Sequence, residues 1–520
     1  MTPISPIAFA ARRLGLVLGP IAAIGLYLAL GALDPPARSA AAMAGLMAVW
    51  WLTEALPLPA TALVPLVALP ALGVMPITEA AAPYADPLIF LFLAGFLLAL
   101  GMQRWGLHRR IALVTILLVG TSPLRLIAGF MVATALLSMF VSNTATAVML
   151  MPIGTSVIAL LEARALEQAA PRGEPREVTE RKVDGFAICL LLGIAYSASI
   201  GGIGTIIGTP PNTVLVGFVQ QRYQLNIGFA QWMLIGVPLV IVFLPLTWLL
   251  LTRVLHPVRL GPVEGGRELI LNELRSLGPM KPGEIIVMTA FGLTAATWIM
   301  RPLLAGWLDL AERGIHIHDA SIGMAGAIAL FLIPVDRKLT TFALDWEWAS
   351  KAPFGILLLF GGGLSLAGAM SATGLDAAIG SIFAALRGLP LPVMILLVAL
   401  VVIFLTELTS NTAVTAALMP VLAGAADTLG VAPMMLLVPA ALAASCAFML
   451  PVATPPNAII FSHPRIRIGH MVKAGIVLNL VGAVIITLLT WLWMPVVMGK
   501  WDRATAEPHP ALNPAQLDGL

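Results

Sequence analysis

Apolar runs separated by short polar stretches recur along the whole chain, near residues 14–33, 40–56, 59–74, 87–103, 126–161, 186–221, 232–251, 285–300, 320–334, 353–372, 391–426, 434–461 and 474–498. Several reach the roughly 20 residues a helix needs to cross a bilayer, among them Leu14 to Leu33, Trp232 to Leu251 and Ala474 to Met498. The pattern predicts an all-α, polytopic membrane protein. Two runs do not read as single crossings. Residues 126–161 form 36 consecutive uncharged positions, a helix of about 54 Å and too long for one span. Ser142-Asn143-Thr144 divides that run, which predicts a re-entrant hairpin; two short full spans fit the hydropathy as well. The run 391–426 is divided at Ser410-Asn411-Thr412 and is expected to behave likewise from the opposite face. With these two set aside, eleven spans remain.

Composition supports this reading. The chain is 59% hydrophobic and 11% charged, against about 25% charged in an average soluble domain, so it cannot build a water-soluble surface. Cys189 and Cys446 both lie in apolar runs and offer neither a disulfide framework nor a metal cluster. Arg12 and Arg13 precede the first run, which is long for a signal peptide and reads as a retained helix. The net charge of +3 is spread between apolar segments, which argues against a nucleic-acid partner. The basic residues divide unevenly: 22 of the 29 Lys and Arg fall at the N-terminus and in the regions 104–125, 162–184, 253–283, 335–351 and 462–473. Because cytoplasmic loops carry the excess of Lys and Arg, the N-terminus is expected in the cytoplasm and, with an odd number of spans, the C-terminus outside a bacterial-type inner membrane.

The halves also match each other. Phe92 to Leu107 aligns with Phe360 to Leu375 at an offset of 268, and the same offset carries Ser142-Asn143-Thr144 onto Ser410-Asn411-Thr412 and Met151-Pro152 onto Met419-Pro420. A second pair, Gly208-Thr209-Pro210-Pro211-Asn212 and Ala453-Thr454-Pro455-Pro456-Asn457, is offset by 245, and the charged 162–184 loop absorbs the difference. Repeats of inverted topology place a substrate site near the midplane, where interrupted helices meet; duplication kept only for packing would not require matched polar breaks. The expected organisation is scaffold helices in 1–121, a hairpin and broken helix in 122–230, a linker and scaffold in 231–388, a second hairpin and broken helix in 389–500, and a polar tail in 501–520.

Paired prolines open a break in each TPPN element, since proline lacks an amide hydrogen, and unsatisfied backbone at that depth is tolerated only where it lines a cavity or meets a partner. Carbonyl, Ser, Thr and Asn oxygens are hard, neutral ligands for a small cation, while helix N-termini and Asn or hydroxyl donors hold carboxylates. No Lys or Arg lies between Leu126 and Ala163 or between Gly388 and Pro464. A dianion bound there needs its charge balanced by bound cations.

Two SNT and two TPPN elements in this order, with TEALPLPATAL at 53–63 and IGGIGTIIGTPPN at 200–212, closely resemble the divalent anion:sodium symporter family of dicarboxylate transporters. The resemblance covers nearly the whole chain. It implies eleven spanning helices, two re-entrant hairpins, a homodimer, and an elevator motion of a transport domain against a scaffold. It implies one sodium site at Ser138, Ser142, Asn143 and Gly208, and another at Thr406, Thr409, Asn411 and Ala453, the last through its carbonyl. Substrate carboxylates are then expected at Ser142, Asn143, Thr144, Ser410, Asn411 and Thr412, with Thr209, Thr454 and Pro455 nearby. The two intact SNT triplets favour C4-type dicarboxylates over sulfate by the same resemblance, with sodium as the coupling ion and no enzymatic activity.

Other signals weigh less. Glu407 is an ionisable residue inside an apolar run, a functional suspect by default, with a buried structural pair as the alternative. Glu54 and Asp86 sit near segment ends, in solvated or capping positions. His316, His318 and Asp319 lack further ligands for a metal. Gly201 to Gly208 lacks the strand and helix of a dinucleotide site, and no phosphate-binding GxxxxGK[ST] element occurs. Dicarboxylate exchange, a passive anion channel and a membrane-embedded enzyme are the competing readings; the last finds no nucleophile with a nearby base.

Overall fold

The structure is a computed structural model that describes residues 6–169, 171, 175–260, 265–307 and 317–505. Its principal helices are α1 (Pro6–Ala29), α2 (Pro35–Thr53), α3 (Pro87–Trp105), α4 (Leu107–Val119), α5 (Pro123–Ser138), α6 (Asn143–Ala169), α7 (Arg176–Gly202), α8 (Pro210–Tyr223), α9 (Phe229–Leu249) and α10 (Gly266–Ser276). They continue as α11 (Pro282–Trp307), α12 (Asp319–Leu332), α13 (Phe354–Ala372), α14 (Leu375–Ile382), α15 (Leu391–Thr406), α16 (Asn411–Leu429), α17 (Met434–Ala444), α18 (Pro455–Phe461) and α19 (Ile468–Thr505). Among the described residues the one β contact is an isolated bridge between Pro334 and Phe342. Among the described residues nine helical stretches are long and apolar enough to span a membrane, and five shorter apolar helices accompany them. The chain is a multi-pass membrane protein.

Helix ends follow the sequence signals. Asp86 caps α3, accepting from the Leu88 amide at 2.9 Å, while Glu54 at the end of α2 is exposed and pairs with Arg12 at 3.1 Å. His318 caps α12, and Asp319 pairs with Arg301 at 2.9 Å and accepts from the Phe229 amide at 2.9 Å; His316 lies outside the described residues. Four expectations need correction. The basic region after residue 103 is itself helical in α4, because its charges are confined to the first turn of an otherwise apolar stretch. The loop at 253–283 contains the amphipathic helix α10. The segment near 59–74 is divided into Leu58–Thr61 and Val64–Ala71, where Pro59 and Pro65 occupy helix starts. Finally, α7 begins at Arg176, ten residues before its apolar run, since charged residues do not end a helix that lacks a breaker.

The two SNT elements interrupt helices at matching places. α5 ends at Ser138 and α6 starts at Asn143, while α15 ends at Thr406 and α16 starts at Asn411, all at the offset of 268. The TPPN elements start α8 at Pro210 and α18 at Pro455, at the offset of 245. α5 and α6 pack on α7, and α15 packs on α17 and α19. Each broken helix then crosses to the other half: α8 packs on α16, and α18 packs on α6. Gly236 of α9 and Gly475 of α19 make this compactness possible. A Cβ at Gly236 collides with the Ile203 and Gly204 carbonyls, and one at Gly475 with the backbone of Phe448 and Met449. Ion pairs join segment ends that the charge count puts on the same face, as in Arg104–Asp345 at 2.6 Å, Arg110–Glu284 at 2.7 Å and Arg222–Asp376 at 2.6 Å.

Candidate functional site

Both hairpin tips and both TPPN elements border one cavity of about 750 Å³. Ser142, Asn143, Thr144, Gly208 and Thr209 line it from the first half, and Thr409, Ser410, Asn411, Thr412, Ala453, Thr454 and Pro455 from the second. The remaining two expected site residues, Ser138 and Thr406, are fully buried one layer behind the asparagines. The structure therefore gathers every residue singled out for the site around one volume, with Asn143 and Asn411 on the same cavity.

Behind each asparagine lies a small nest of oxygens. The Ser138 hydroxyl is 2.5 Å from Asn143 Oδ1 and 2.7 Å from the Ala198 carbonyl. In the second half the Thr406 hydroxyl contacts Asn411 Oδ1 and lies 3.1 Å from the Ala444 carbonyl. A hydroxyl carries one hydrogen, so it serves one of its two oxygen neighbours and leaves the other without a proton. Hard cations are held by such clusters of neutral oxygens, and the donor set suits a small alkali ion. Ala198 and Ala444 contribute through backbone carbonyls, which no side-chain pattern identifies. Among the described residues no group of three or more His, Cys, Asp or Glu forms a metal site, and both cysteines are buried free thiols.

The turn between α7 and α8 is tied by Asn212, whose Nδ2 donates to the Thr205 carbonyl at 2.8 Å and the Gly202 carbonyl at 3.1 Å. Asn457 does the same after α17, donating to the Leu450 carbonyl at 3.0 Å and the Ala447 carbonyl at 3.1 Å. The asparagine of each TPPN element thus fixes its own break rather than facing the cavity. Thr454 caps α18, its side chain accepting from the Asn457 amide at 3.3 Å. At the cavity, α6, α8, α16 and α18 all present their N-termini. The first amides of a helix lack intrahelical acceptors and carry the positive end of the helix dipole. α8 and α18 open with paired prolines, which have no N–H, so they contribute the dipole while α6 and α16 also offer amides. The geometry favours an anion without any fixed positive side chain at the motifs.

The opposite wall is apolar and was not anticipated. Phe92 and Phe96 of α3 and Phe360 of α13 line it, and the rings of Phe92 and Phe360 stack with centroids 5.3 Å apart. These two phenylalanines are the aligned first residues of the repeated stretch, which is the signal that identifies them in retrospect. Glu54 and Lys351 are the charged lining residues, and both stand with Gln103 at segment ends on the Lys- and Arg-rich face. The Lys351 ammonium sits 3.6 Å above the Trp348 ring, a cation–π contact that orients it at the rim.

The family profile described as the sodium:sulfate symporter transmembrane region matches residues 16–499. The chain belongs to this family. Its members are transporters rather than enzymes. A sodium-dependent dicarboxylate transporter, SdcS, of Staphylococcus saprophyticus is 42% identical over 455 residues, covering 87% of this chain and 85% of the relative. The SdcS protein of Staphylococcus aureus strain USA300 is 41% identical over 494 residues, covering 94% of this chain and 92% of the relative. In fold, the chain is similar to the YdaH transporter of Alcanivorax borkumensis, with a TM-score of 0.52 at 15% identity, covering 89% of this chain and 99% of that one.

Proposed function

We propose that this symporter-family protein imports C4-type dicarboxylates together with sodium, binding the dianion between the two SNT tips. The observation that carries this reading is the convergence of four helix N-termini and two oxygen nests on one cavity whose motifs hold no Lys or Arg. Helix ends and asparagine amides receive the carboxylates. Sodium in the nests supplies the positive charge that fixed side chains do not, so neither solute binds well alone. Two tips at matched positions suit a substrate with two similar ends, and a C4 diacid has them. The dicarboxylate specificity named for the staphylococcal relatives agrees with this.

Away from the rim at Glu54, Gln103 and Lys351, the polar groups of the cavity come from α5–α8 and α15–α18, while α3 and α13 supply the aromatic wall. A smooth apolar wall offers no competing ligand to a moving substrate, which supports a transport unit of hairpins and broken helices sliding against a scaffold. In this reading the hairpins are re-entrant and the repeats inverted. The cavity rim at Glu54, Gln103 and Lys351 lies on the face that the charge bias assigns to the cytoplasm, so the conformation is open inward. Uptake of labelled succinate into proteoliposomes tests the proposal. An inward sodium gradient is expected to drive accumulation; uptake indifferent to sodium, or counterflow that needs no cation, refutes symport.

A further inference from the structure

Glu407 is 3% exposed and occupies the first position after α15, inside an apolar run. Its partners are not cations. Oε1 accepts from the Met449 amide at 2.8 Å and from Asn479 Nδ2 at 2.7 Å, and Oε2 accepts from the Leu450 amide at 2.9 Å. Asn479 Oδ1 in turn accepts from the Phe448 amide at 3.3 Å. One carboxylate and one carboxamide therefore satisfy three consecutive amides of the turn that leads from α17 to Ala453.

The first repeat builds the corresponding turn differently. At the offset of 245, Ala447-Phe448-Met449-Leu450 corresponds to Gly202-Ile203-Gly204-Thr205. There α7 continues to Gly202, the Ile203 amide donates to the Ile200 carbonyl at 3.2 Å and the Gly204 amide donates to the Gly201 carbonyl at 2.9 Å. Two of the three corresponding amides are thus satisfied within the turn itself. In the second repeat α17 ends at Ala444, three residues earlier in register, and the turn lacks glycine. Its amides point away from the helix and require an acceptor, because an unpaired amide inside a membrane protein is costly. The position of Glu407 is held in the first repeat by Met139, which needs only to offer its carbonyl to the Thr205 hydroxyl. The position of Asn479, counted from the matched Gly236 and Gly475, is held by Val240.

We propose that Glu407 is a positioning residue for the second cation site. It ties the hairpin tip that carries Thr406 and Asn411 to the turn that carries Ala453, so that oxygens from two separate elements face one ion. This rests on the sodium-coupled reading above. Glycine backbone does the equivalent work in the first repeat, so the two sites depend on different chemistry for the same shape. Glu407→Gln keeps the size of the side chain but turns an NH₂ toward one of the N–H donors, leaving that donor unpaired.

The test measures succinate uptake by full-length protein in proteoliposomes against sodium concentration, for the wild type, Glu407→Gln, Asn479→Ala and Thr205→Val. A second readout is alkylation of Cys446 by N-ethylmaleimide, located by mass spectrometry; this thiol is fully buried at the start of the turn. Glu407→Gln is expected to raise the half-saturating sodium concentration about tenfold, the effect of losing roughly one hydrogen bond to a charged group, with a smaller change in maximal rate, and to expose Cys446. Asn479→Ala is expected to act in the same direction more weakly, and decides the matter if Glu407→Gln fails to fold. A lower maximal rate at unchanged sodium half-saturation, with Cys446 still protected, overturns the assignment. Should the wild type itself prove indifferent to sodium, the symport reading fails, and Cys446 protection alone then decides whether Glu407 holds the turn.

Discussion

Arg222 in the last turn of α8 and Arg465 just after α18 stand at the ends of corresponding broken helices, yet they hold different partners. Each reaches across to the hairpin of the other half: Arg222 to Asp427 of α16 at 3.4 Å, and Arg465 to Glu162 of α6 at 2.6 Å. Beyond that they diverge. Arg222 also pairs with Asp376 of α14 at 2.6 Å and contacts Ser371 of α13, whereas Arg465 turns to Asp184 of the neighbouring α7. At the offset of 268 the counterpart of Asp376 is His108, followed by Arg109 and Arg110. The cross-half pairs are shared by both faces and hold the interlocked arms. The link from arm to wall helix exists on one face, and its mirror position is basic. In the proposed sliding motion this asymmetry favours the conformation in which Arg222 meets Asp376, and like charge meets Arg465 in the mirror state.

Changes at the shared centre should matter most and should matter equally in both halves. Asn143→Ala and Asn411→Ala each remove an oxygen from a nest and an amide from the cavity. Hydrogen bonds to charged groups are worth about 1.5–3 kcal/mol, so each is expected to cut sodium-driven succinate uptake by about 10²-fold. A large effect in one half alone breaks the equivalence. Gly236→Ala and Gly475→Ala insert a Cβ against turn backbone, and overpacking typically costs about 1–3 kcal/mol. Both are expected to lower the thermal unfolding midpoint in detergent by several degrees. At the faces the effects should be smaller and unequal. Asp376→Asn is expected to shift the population away from the inward-open form about three- to fivefold, as for a partly exposed ion pair of about 1 kcal/mol, read from labelling of a cysteine placed at Gln103. Equal shifts from Asp376→Asn and Asp184→Asn contradict the asymmetry. Thr205→Val removes a neutral hydroxyl contact and is expected to change sodium half-saturation about twofold or less.

Much of this architecture is legible in the chain because the same breaks occur twice. The four-residue gaps after Ser138 and Thr406 and the helix starts at Pro210 and Pro455 fall where the SNT and TPPN elements put them. What escaped was set by backbone and by tertiary contact. The carbonyls of Ala198 and Ala444 enter the nests without any side-chain signature. The stacking of Phe92 on Phe360 needs two distant helices to meet. The helical character of α4 was hidden because its three basic residues, His108, Arg109 and Arg110, read as a loop. Glu407 stood out as a suspect, but its partners are amides from a turn 42 residues away, which no local pattern reveals.

The central claim is that sodium in two oxygen nests, and not a resident arginine or lysine, neutralises the dianion. Calorimetric titration of the purified protein with succinate at graded sodium, ionic strength held constant with choline, tests it directly. The account predicts that succinate affinity climbs steeply with sodium and that succinate raises sodium affinity by the same factor, as linkage requires. Succinate affinity that is the same in sodium and in choline contradicts it.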